Sequence, residues 1–240
     1  MSVAEHYENL LADHYSWMRG PFDDGVAGQR ALLSSLGLPQ GGRALDLGCG
    51  AGLQSVALAE MKFDVTAVDS SRKLLDELST RGSGLPIRTI EGDIMRVAEL
   101  VEPDFDVAVC MGDTLTHLPT VAAVERMFDG VAGLLRRSGL FVLTFRDLTG
   151  PPVGSDSGIF LVREDQDTIM RCMLHYDENT VLVTDMIHVR DGTEWKFNTS
   201  KYRKLRLAPR DVADLLEARG FSIEANGKTD GGVLIAARRN

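Results

Sequence analysis

The stretch RALDLGCGAGLQSVALAE, residues 43–60, decides the fold of this 240-residue chain. It begins with an apolar run that predicts a buried β-strand, and Asp46 lies near the end of that run. Gly48, Gly50 and Gly52 follow, and then a helical stretch begins. Because glycine has no side chain, a ligand can approach the backbone there, and the first turn of the helix offers it unpaired N–H groups. The stretch therefore predicts a nucleotide-like ligand at the carboxyl end of the first strand.

Strand-like and helical runs alternate from Arg43 to Leu148. The strand-like runs are almost continuously apolar, which is typical of strands covered on both faces. The helix predicted at residues 121–139 closes with Arg136 and Arg137, and basic residues are common at helix C-termini. With two final strands near the C-terminus, the pattern predicts an α/β, Rossmann-like, doubly wound and mostly parallel seven-stranded sheet.

The pattern changes after residue 150, where alternating, turn-bounded runs follow one another without a helix. They predict an antiparallel β insertion after the fifth strand, placed above the ligand crevice as a substrate cap or a dimer surface. We expect a single domain, residues 1–240, that is divided into an N-terminal helical cap (1–40), a cofactor-binding core (41–150), the β insertion (151–207), and the last helix with the final two strands (208–240).

Composition excludes several classes of function. The net charge of −9 argues against nucleic acid as a partner, because phosphate binding needs clustered Lys and Arg. No apolar run approaches the ~18 residues that span a bilayer, and the N-terminus does not resemble a signal peptide, so we expect a cytoplasmic protein without a membrane partner. Cys49, Cys110 and Cys172 form no CxxC pair, which predicts neither disulfides nor a metal site. We expect a small-molecule partner and a monomer or homodimer.

Two further acidic residues follow predicted strands. Asp69 ends the second strand, seventeen residues after Gly52, and a carboxylate there can accept hydrogen bonds from both hydroxyls of a ribose. Asp93 follows the third strand in the segment EGDIM. Taken alone, Asp69 fits both a dinucleotide fold and other nucleotide-binding folds.

The glycine loop does not fit the dinucleotide fingerprint GxGxxG, because its last position is Leu53 in one frame and Ser55 in the other. The segment LDLGCGAG instead resembles the GxGxG first motif of class I S-adenosylmethionine-dependent methyltransferases. The resemblance covers about residues 40–150, and the run VLIAARR is similar to the last strand of that family. Four motifs at strand ends, in the order of the family, carry it.

This resemblance implies that S-adenosyl-L-methionine is the cofactor and S-adenosyl-L-homocysteine the product. The glycine loop and Asp46 would surround the methionine moiety, Asp69 the ribose, and Asp93 with the Ile94 backbone the adenine. The candidate cofactor-binding residues in the core are Asp46, Gly48, Cys49, Gly50, Gly52, Asp69, Ser70, Asp93, Ile94 and Met111.

Two aromatic residues ahead of the first strand complete the candidate cofactor site. The cofactor is a sulfonium cation, and aromatic faces attract cations. Tyr15 and Trp17 stand where the family often has a helix over the cofactor. The alternative is an ordinary amphipathic helix whose core-facing stripe consists of Tyr7, Leu11, Tyr15 and Met18.

The segment CMGDTLTHLPT after the fourth strand contains the candidate catalytic residues Asp113 and His117. It resembles the corresponding stretch of glycine and sarcosine N-methyltransferases, in which a Gly-Asn-Ser turn precedes a His-Leu pair, although Asp113 replaces the asparagine. His117 is a general base, since an ordinary histidine titrates near neutrality, or a structural residue bonded to a loop carbonyl, or a residue that contacts the cofactor without moving a proton. The [DN]PPY motif of nucleic-acid methyltransferases is absent, which favours a small-molecule acceptor.

The same resemblance implies a carboxylate-binding arginine just beyond the fifth strand, where Arg146 stands. A guanidinium binds a carboxylate through two parallel hydrogen bonds. The alternative is an internal ion pair with Asp147 or another acid. Tyr202 is a second candidate substrate-binding residue, and we interpret the surrounding basic stretch KYRKLRL, residues 201–207, as mainly solvated, with contact to an anionic substrate as the alternative.

Together these observations predict an S-adenosylmethionine-dependent methyltransferase. It would transfer a methyl group by in-line displacement to a nitrogen or oxygen of a small molecule, and Arg146 favours a carboxylated one. Two alternatives stay open at this point. One is an NAD-dependent oxidoreductase, which Asp69 also suits, and the other is a non-catalytic module that binds S-adenosylmethionine.

Overall fold

The computed structural model describes residues 2–229 and 232–240. The chain starts with helices that precede the first strand. They comprise α1 (Val3–His6), a π-helical turn (Tyr7–Leu11), α2 (Ala12–Arg19) and α3 (Phe22–Ser35). Among the described residues, no helix has the length and apolar character needed to cross a bilayer.

The core alternates strands with helices from residue 42 to residue 145. Its strands are β1 (Gly42–Leu47), β2 (Phe63–Asp69), β3 (Ile87–Glu91), β4 (Phe105–Cys110) and β5 (Leu135–Phe145). Its helices are α4 (Leu53–Glu60), α5 (Arg72–Arg81), α6 (Val97–Leu100) and α7 (Val121–Leu134), with 3₁₀ turns at Ile94–Arg96 and Thr114–His117. The chain ends with α8 (Pro209–Glu217), β10 (Phe221–Thr229) and β11 (Gly232–Arg239).

The central sheet has seven strands in the order β10-β11-β5-β4-β1-β2-β3. Strands β1 to β5 are parallel to one another, and β11 runs antiparallel to both β5 and β10. The predicted doubly wound, mostly parallel seven-stranded fold is confirmed. The reversal between β1 and β4 places the ligand crevice of such a sheet at the carboxyl ends of these two strands.

Apolar residues cover both faces of the central sheet, as the continuous apolar strand runs predict. In β1, Ala44 packs with α3, α4 and α5 on one face. Leu45 and Leu47 pack with α7 and α8 on the other. Successive side chains of a strand point to opposite faces, so a strand between two helical layers must be apolar throughout.

The predicted end of α7 is wrong. The helix stops at Leu134, and Arg136 and Arg137 belong to β5, which begins at Leu135. Leu135 is already extended and pairs with Phe105 of β4. The basic residues favour a helix end by sequence, but pairing of β5 with β4 and the ion pair of Arg136 with Asp106 of β4 stabilise the extended conformation instead.

A second, antiparallel sheet follows β5, as predicted. It consists of β6 (Asp156–Glu164), β7 (Thr168–Tyr176), β8 (Thr180–Asp191) and β9 (Glu194–Leu205), in that order. Strand β9 packs against α1 and against the 3₁₀ turn that follows β4. The second sheet therefore faces the carboxyl ends of the central strands.

Candidate active site

A cavity of about 750 Å³ lies between the two sheets and the N-terminal helices. This volume lies within the ~300–1,000 Å³ that is usual for small-molecule sites. One wall consists of residues at the carboxyl ends of the central strands, and the other wall is the inner face of β6 to β9. Residues of α1, the π-helical turn and α2 cover the cavity.

The glycine loop lines the first wall at positions that only glycine fits. Gly48 has φ +69°, and a Cβ there would lie 2.3 Å from Cγ2 of Thr114. Gly52 has φ +96°, and its Cβ would lie 2.2 Å from Cδ1 of Leu78. Both the left-handed backbone and the close neighbours exclude larger residues, so the loop is built for a close turn at the end of β1.

Asp69 is bonded directly to the glycine loop. Its Oδ2 accepts the backbone N–H of Gly50 at 2.8 Å, and its Oδ1 accepts that of Ser71 at 2.8 Å. Burial raises the pKa of Asp69, and the backbone N–H donors oppose this rise. The two strand-end motifs thus form one rigid unit, with the Asp69 carboxyl group at the cavity surface.

Asp46 lies beneath the loop and does not line the cavity. The residue is 1% exposed, and its Oδ2 accepts a hydrogen bond of 2.6 Å from the Ser55 hydroxyl. Burial raises the pKa of Asp46 to about 7. In this structure Asp46 supports the start of α4 from below, through Ser55.

The other predicted residues of the core do line the cavity. Asp93 caps the 3₁₀ turn, where its Oδ1 accepts the backbone N–H of Met95 at 2.9 Å. The 3₁₀ turn places Asp93 and Ile94 at the far end of the first wall from Met111, which follows β4. The predicted residues along the cavity are Gly48, Cys49, Gly50, Gly52, Asp69, Ser70, Asp93, Ile94 and Met111.

The structure separates the two predicted aromatic residues. The Tyr15 ring lines the cavity, 3.4 Å from the position that a Cβ of Gly50 would take. Trp17 is not among the lining residues; its indole N–H donates to Asp165, and its ring lies 5.6 Å from the Arg163 guanidinium. Trp17 instead joins the N-terminal helices to the second sheet, because it lies two residues beyond Tyr15 on the helix and so points elsewhere.

An ion cluster connects the two walls, with Lys204 and Asp113 largely buried and Arg146 half exposed. Oδ2 of Asp113 lies 2.6 Å from Nζ of Lys204 and 2.8 Å from Nε of Arg146. Burial alone would raise the pKa of Asp113, but the Lys204 and Arg146 cations outweigh it and hold this pKa well below its usual range. Asp113 is thus ionised, and the internal ion pair that sequence reasoning left open for Arg146 forms with Asp113.

The interpretation of residues 201–207 as mainly solvated is wrong for Lys204. Its side chain is 7% exposed, and burial lowers the pKa of its ammonium group, although Asp113 opposes this effect. Lys204 was missed because a basic run normally marks a solvated surface. The available signal was strand alternation: Lys204 stands two positions after Tyr202, and both side chains line the cavity.

His117 also lines the cavity, between two tyrosine rings. Its ring centroid is 5.9 Å from that of Tyr7 and 5.6 Å from that of Tyr202. Burial, with the nearby Lys204 cation, lowers the pKa of His117 to about 3. Nε2 is buried and has no hydrogen-bond partner among the described residues. His117 is therefore neutral near pH 7, a weak base with one unpartnered nitrogen.

His6 anchors the N-terminal helices to the second sheet. The side chain is fully buried, with Nδ1 2.8 Å from Oγ of Ser200 and Nε2 3.2 Å from Oδ2 of Asp185. Its ring stacks on Tyr202 at 4.2 Å between centroids. Sequence reasoning missed this cluster because its members lie almost 200 residues apart.

Within residues 2–229 and 232–240, no three His, Cys, Asp or Glu side chains lie close enough together to hold a metal ion. The polar groups that line the cavity include the Asp69 carboxyl group at the glycine loop, the Asp113–Lys204–Arg146 cluster and the His117 imidazole. Asp93, Asp185 and Arg203 line it as well.

Comparison with known proteins identifies a methyltransferase domain in the chain. Residues 44–139 match the family described as a methyltransferase domain. YqeM, a candidate methyltransferase of Bacillus subtilis (strain 168), is 27% identical over 78% of this chain and 76% of its own length. Glycine/sarcosine N-methyltransferase of Aphanothece halophytica is 31% identical over 44% of this chain, and the match spans 40% of that relative.

A solved structure shares the whole fold. The S-adenosylmethionine-bound amino pentose methyltransferase CalS10 from Micromonospora echinaspora superposes with a TM-score of 0.76, at 20% identity, over 93% of this chain and 94% of that chain. This likeness shows the α/β fold, and the match of residues 44–139 gives the class of enzyme. The chain is a methyltransferase with its methyltransferase domain at residues 44–139, and the predicted cofactor agrees with the S-adenosylmethionine that CalS10 binds.

Proposed function

We propose that this enzyme transfers the methyl group of S-adenosylmethionine to a nitrogen of a small molecule that carries a carboxylate. The observation that carries the proposal is one cavity whose first wall holds the glycine loop and Asp69. The ionised cluster around Asp113 and the neutral His117 border the same cavity. Cofactor and acceptor can therefore meet in one cavity, beside the groups that would hold them.

The cofactor lies along the first wall. The Asp69 carboxylate accepts hydrogen bonds from the two ribose hydroxyls, a role that its fixed position beside Gly50 supports. Asp93 and the Ile94 backbone hold the adenine edge. Tyr15 lies over the glycine loop, where its ring face stabilises the sulfonium cation.

Arg146 binds the carboxylate of the acceptor. A guanidinium has five N–H donors, and the ion pair with Asp113 uses those at Nε and Nη2. The remaining donors face a cavity that the residue lines, with 55% of its side chain exposed. The contacts of Nε and Nη2 with Asp113 fix the plane of this guanidinium, which favours a two-point contact with a carboxylate.

His117 orients the attacking nitrogen. A base with a pKa of about 3 takes up few protons near neutrality, so the neutral Nε2 accepts a hydrogen bond from an amine N–H and aims the lone pair at the methyl group. When bound, S-adenosylmethionine would supply the methyl group: the N–C bond would form as the C–S bond breaks, and the C–S electron pair would remain on sulfur in S-adenosylhomocysteine. The alkylated ammonium would then lose its proton to water.

Two observations favour nitrogen over oxygen as the acceptor atom: the names of similar proteins, and the weak basicity of His117. The names of several of them specify nitrogen: glycine/sarcosine N-methyltransferase, the cypemycin N-terminal methyltransferase of Streptomyces sp., and the sugar N-methyltransferase KedS8 from Streptoalloteichus. An uncharged amine needs no strong base for attack, whereas a hydroxyl group does. In this proposal the β insertion serves as the substrate cap.

Titration calorimetry with S-adenosylmethionine, S-adenosylhomocysteine and NAD tests the cofactor assignment. The variant Asp69→Ala loses two hydrogen bonds to a charged acceptor, so we expect its affinity for both adenosyl ligands to fall about 100-fold. Asp64→Ala, at an exposed position of the same strand, is the matched control and should bind normally. Unchanged affinity in Asp69→Ala would contradict the assignment.

Steady-state kinetics with glycine and sarcosine as acceptors test the acceptor side. We expect Arg146→Gln to raise KM for the acceptor at least about tenfold, because one charge-assisted contact is lost. KM for S-adenosylmethionine should stay the same, since the first wall is intact. An unchanged acceptor KM would remove Arg146 from this role.

A further inference from the structure

The second wall of the cavity is apolar over most of its extent. The polar residues of this wall that reach the cavity are Tyr202, Arg203 and Lys204 near the end of β9, and Asp185 of β8, which contacts His6. The strands β6, β7 and β8 contribute mainly hydrocarbon and sulfur-containing side chains. These side chains, here called the apolar wall, are Phe160, Val162, Met170, Cys172, Leu174 and Val183.

Part of the apolar wall is open to the cavity. Phe160 and Val162 of β6 are 37% and 38% exposed, and both line the cavity. Met170 is only 2% exposed, because the N-terminal helices pack on it. Large apolar side chains that face a pocket mark a binding surface for apolar groups.

The register of the sheet joins this open surface to the polar end. Phe160 pairs with Cys172, and Cys172 pairs with Asp185 of β8. In the next row Leu174 pairs with Val183, which pairs with Tyr202. A molecule bound at the polar cluster therefore has the apolar residues of β6 and β7 beside it, with Asp185, which contacts His6, at the β8 end of one row.

We propose that the acceptor is amphiphilic, with an alkyl chain or an aromatic ring that lies on the apolar wall. This inference rests on the proposed function, which places the amine and carboxylate of the acceptor at His117 and Arg146. Glycine and sarcosine satisfy that polar end but leave Phe160 and Val162 in water. The enzyme therefore prefers amino acids with long apolar side chains to glycine.

The experiment measures binding of a homologous series to the protein saturated with S-adenosylhomocysteine. The series is glycine, 2-aminobutyrate, norvaline and norleucine, in which the amine and carboxylate stay constant and only the side chain grows. Burial of one methylene stabilises binding by ~0.8 kcal/mol, so we expect Kd to fall about fourfold for each added carbon.

Substitutions at neighbouring positions of β6 test whether the apolar wall causes the dependence of Kd on chain length. We expect Phe160→Ser and Val162→Ser to reduce the dependence of Kd on chain length by about half, because apolar contact area is lost. Leu161→Ser is the matched control: Leu161 is 49% exposed and does not line the cavity. It should leave the dependence unchanged.

A Kd that does not change with chain length would overturn the inference. It would also be overturned if Leu161→Ser reduced the dependence of Kd on chain length as much as Phe160→Ser and Val162→Ser do. Methyl transfer to each amino acid is measured in parallel. Glycine that binds and reacts as well as norleucine would leave the proposed function intact and contradict the apolar wall. Tight, Phe160-dependent binding of norleucine without methylation would support the wall and contradict nitrogen as the acceptor.

Discussion

The two walls of the cavity are built in different ways. In the first wall, backbone groups fix the site: the N–H groups of Gly50 and Ser71 bind Asp69, and all three residues lie within 22 positions of the sequence. In the second wall, side chains fix the site over long range, as in the contact of Lys204 with Asp113, 91 residues away. A local motif therefore specifies the first wall, and only the folded chain specifies the second.

We expect the largest loss of stability from a variant that breaks the connection between the two walls. Lys204→Met leaves the buried Asp113 carboxylate with Arg146 as its ion-pair partner. Removal of one partner from a buried pair leaves charge poorly compensated, so we expect the free energy of unfolding to fall by about 3 kcal/mol. Urea denaturation measures it.

Lys201→Met is the matched control for this prediction. Lys201 lies three residues earlier on β9 and is exposed, so its replacement should change stability by less than about 0.5 kcal/mol. Equal destabilisation by the two variants would show that the ion pair between Asp113 and Lys204 does not stabilise the contact between the walls.

The second prediction concerns the first wall alone. Burial raises the pKa of Asp46 to about 7 in the folded protein, above its ordinary value of 3.8. The stabilisation from this group is therefore complete below about pH 4 and is lost as pH rises through 7. In the variant Asp46→Asn, the side chain is neutral at every pH and still offers an oxygen to the Ser55 hydroxyl. The stability of this variant should therefore not fall as the pH rises through 7.

Between pH 5 and pH 8, we expect wild-type stability to fall relative to Asp46→Asn on the order of 2 kcal/mol. Urea unfolding at the two pH values provides the comparison. A constant difference between the two proteins across this range would show that Asp46 titrates as an ordinary carboxyl group.

A smaller effect is expected where the N-terminal helices meet the second wall. His6→Leu leaves Asp185 and Ser200 without their imidazole contacts, which costs about 1.5 kcal/mol. Hydrogen exchange should accelerate in residues 3–19 and stay unchanged in the central strands, since only the anchor of the helices is lost. His14→Leu, within α2, is the control, and acceleration in the central strands would contradict an anchoring role.

Sequence reasoning predicted the first wall well, because glycines and strand-end carboxylates leave a local signature. The sheet order and the placement of Asp69 and Asp93 at the cavity agree with it. Sequence reasoning failed where contacts between distant residues determine the structure. Strand β5 starts at Leu135 because that residue pairs with β4, and Lys204 is buried because its ammonium group contacts Asp113. Neither partner is recognisable from the neighbouring residues alone.

The cover formed by Tyr7 and Tyr15 has a consequence for the rate of turnover. Both residues line the cavity from the N-terminal side, and the π-helical turn Tyr7–Leu11 interrupts the regular hydrogen bonding of the helices there. We expect the cofactor to enter and the product to leave through this interrupted segment, because it can open without disturbing the regular helices beside it. Turnover that depends on such an opening should slow as the viscosity of the medium rises, even for an acceptor that reacts quickly.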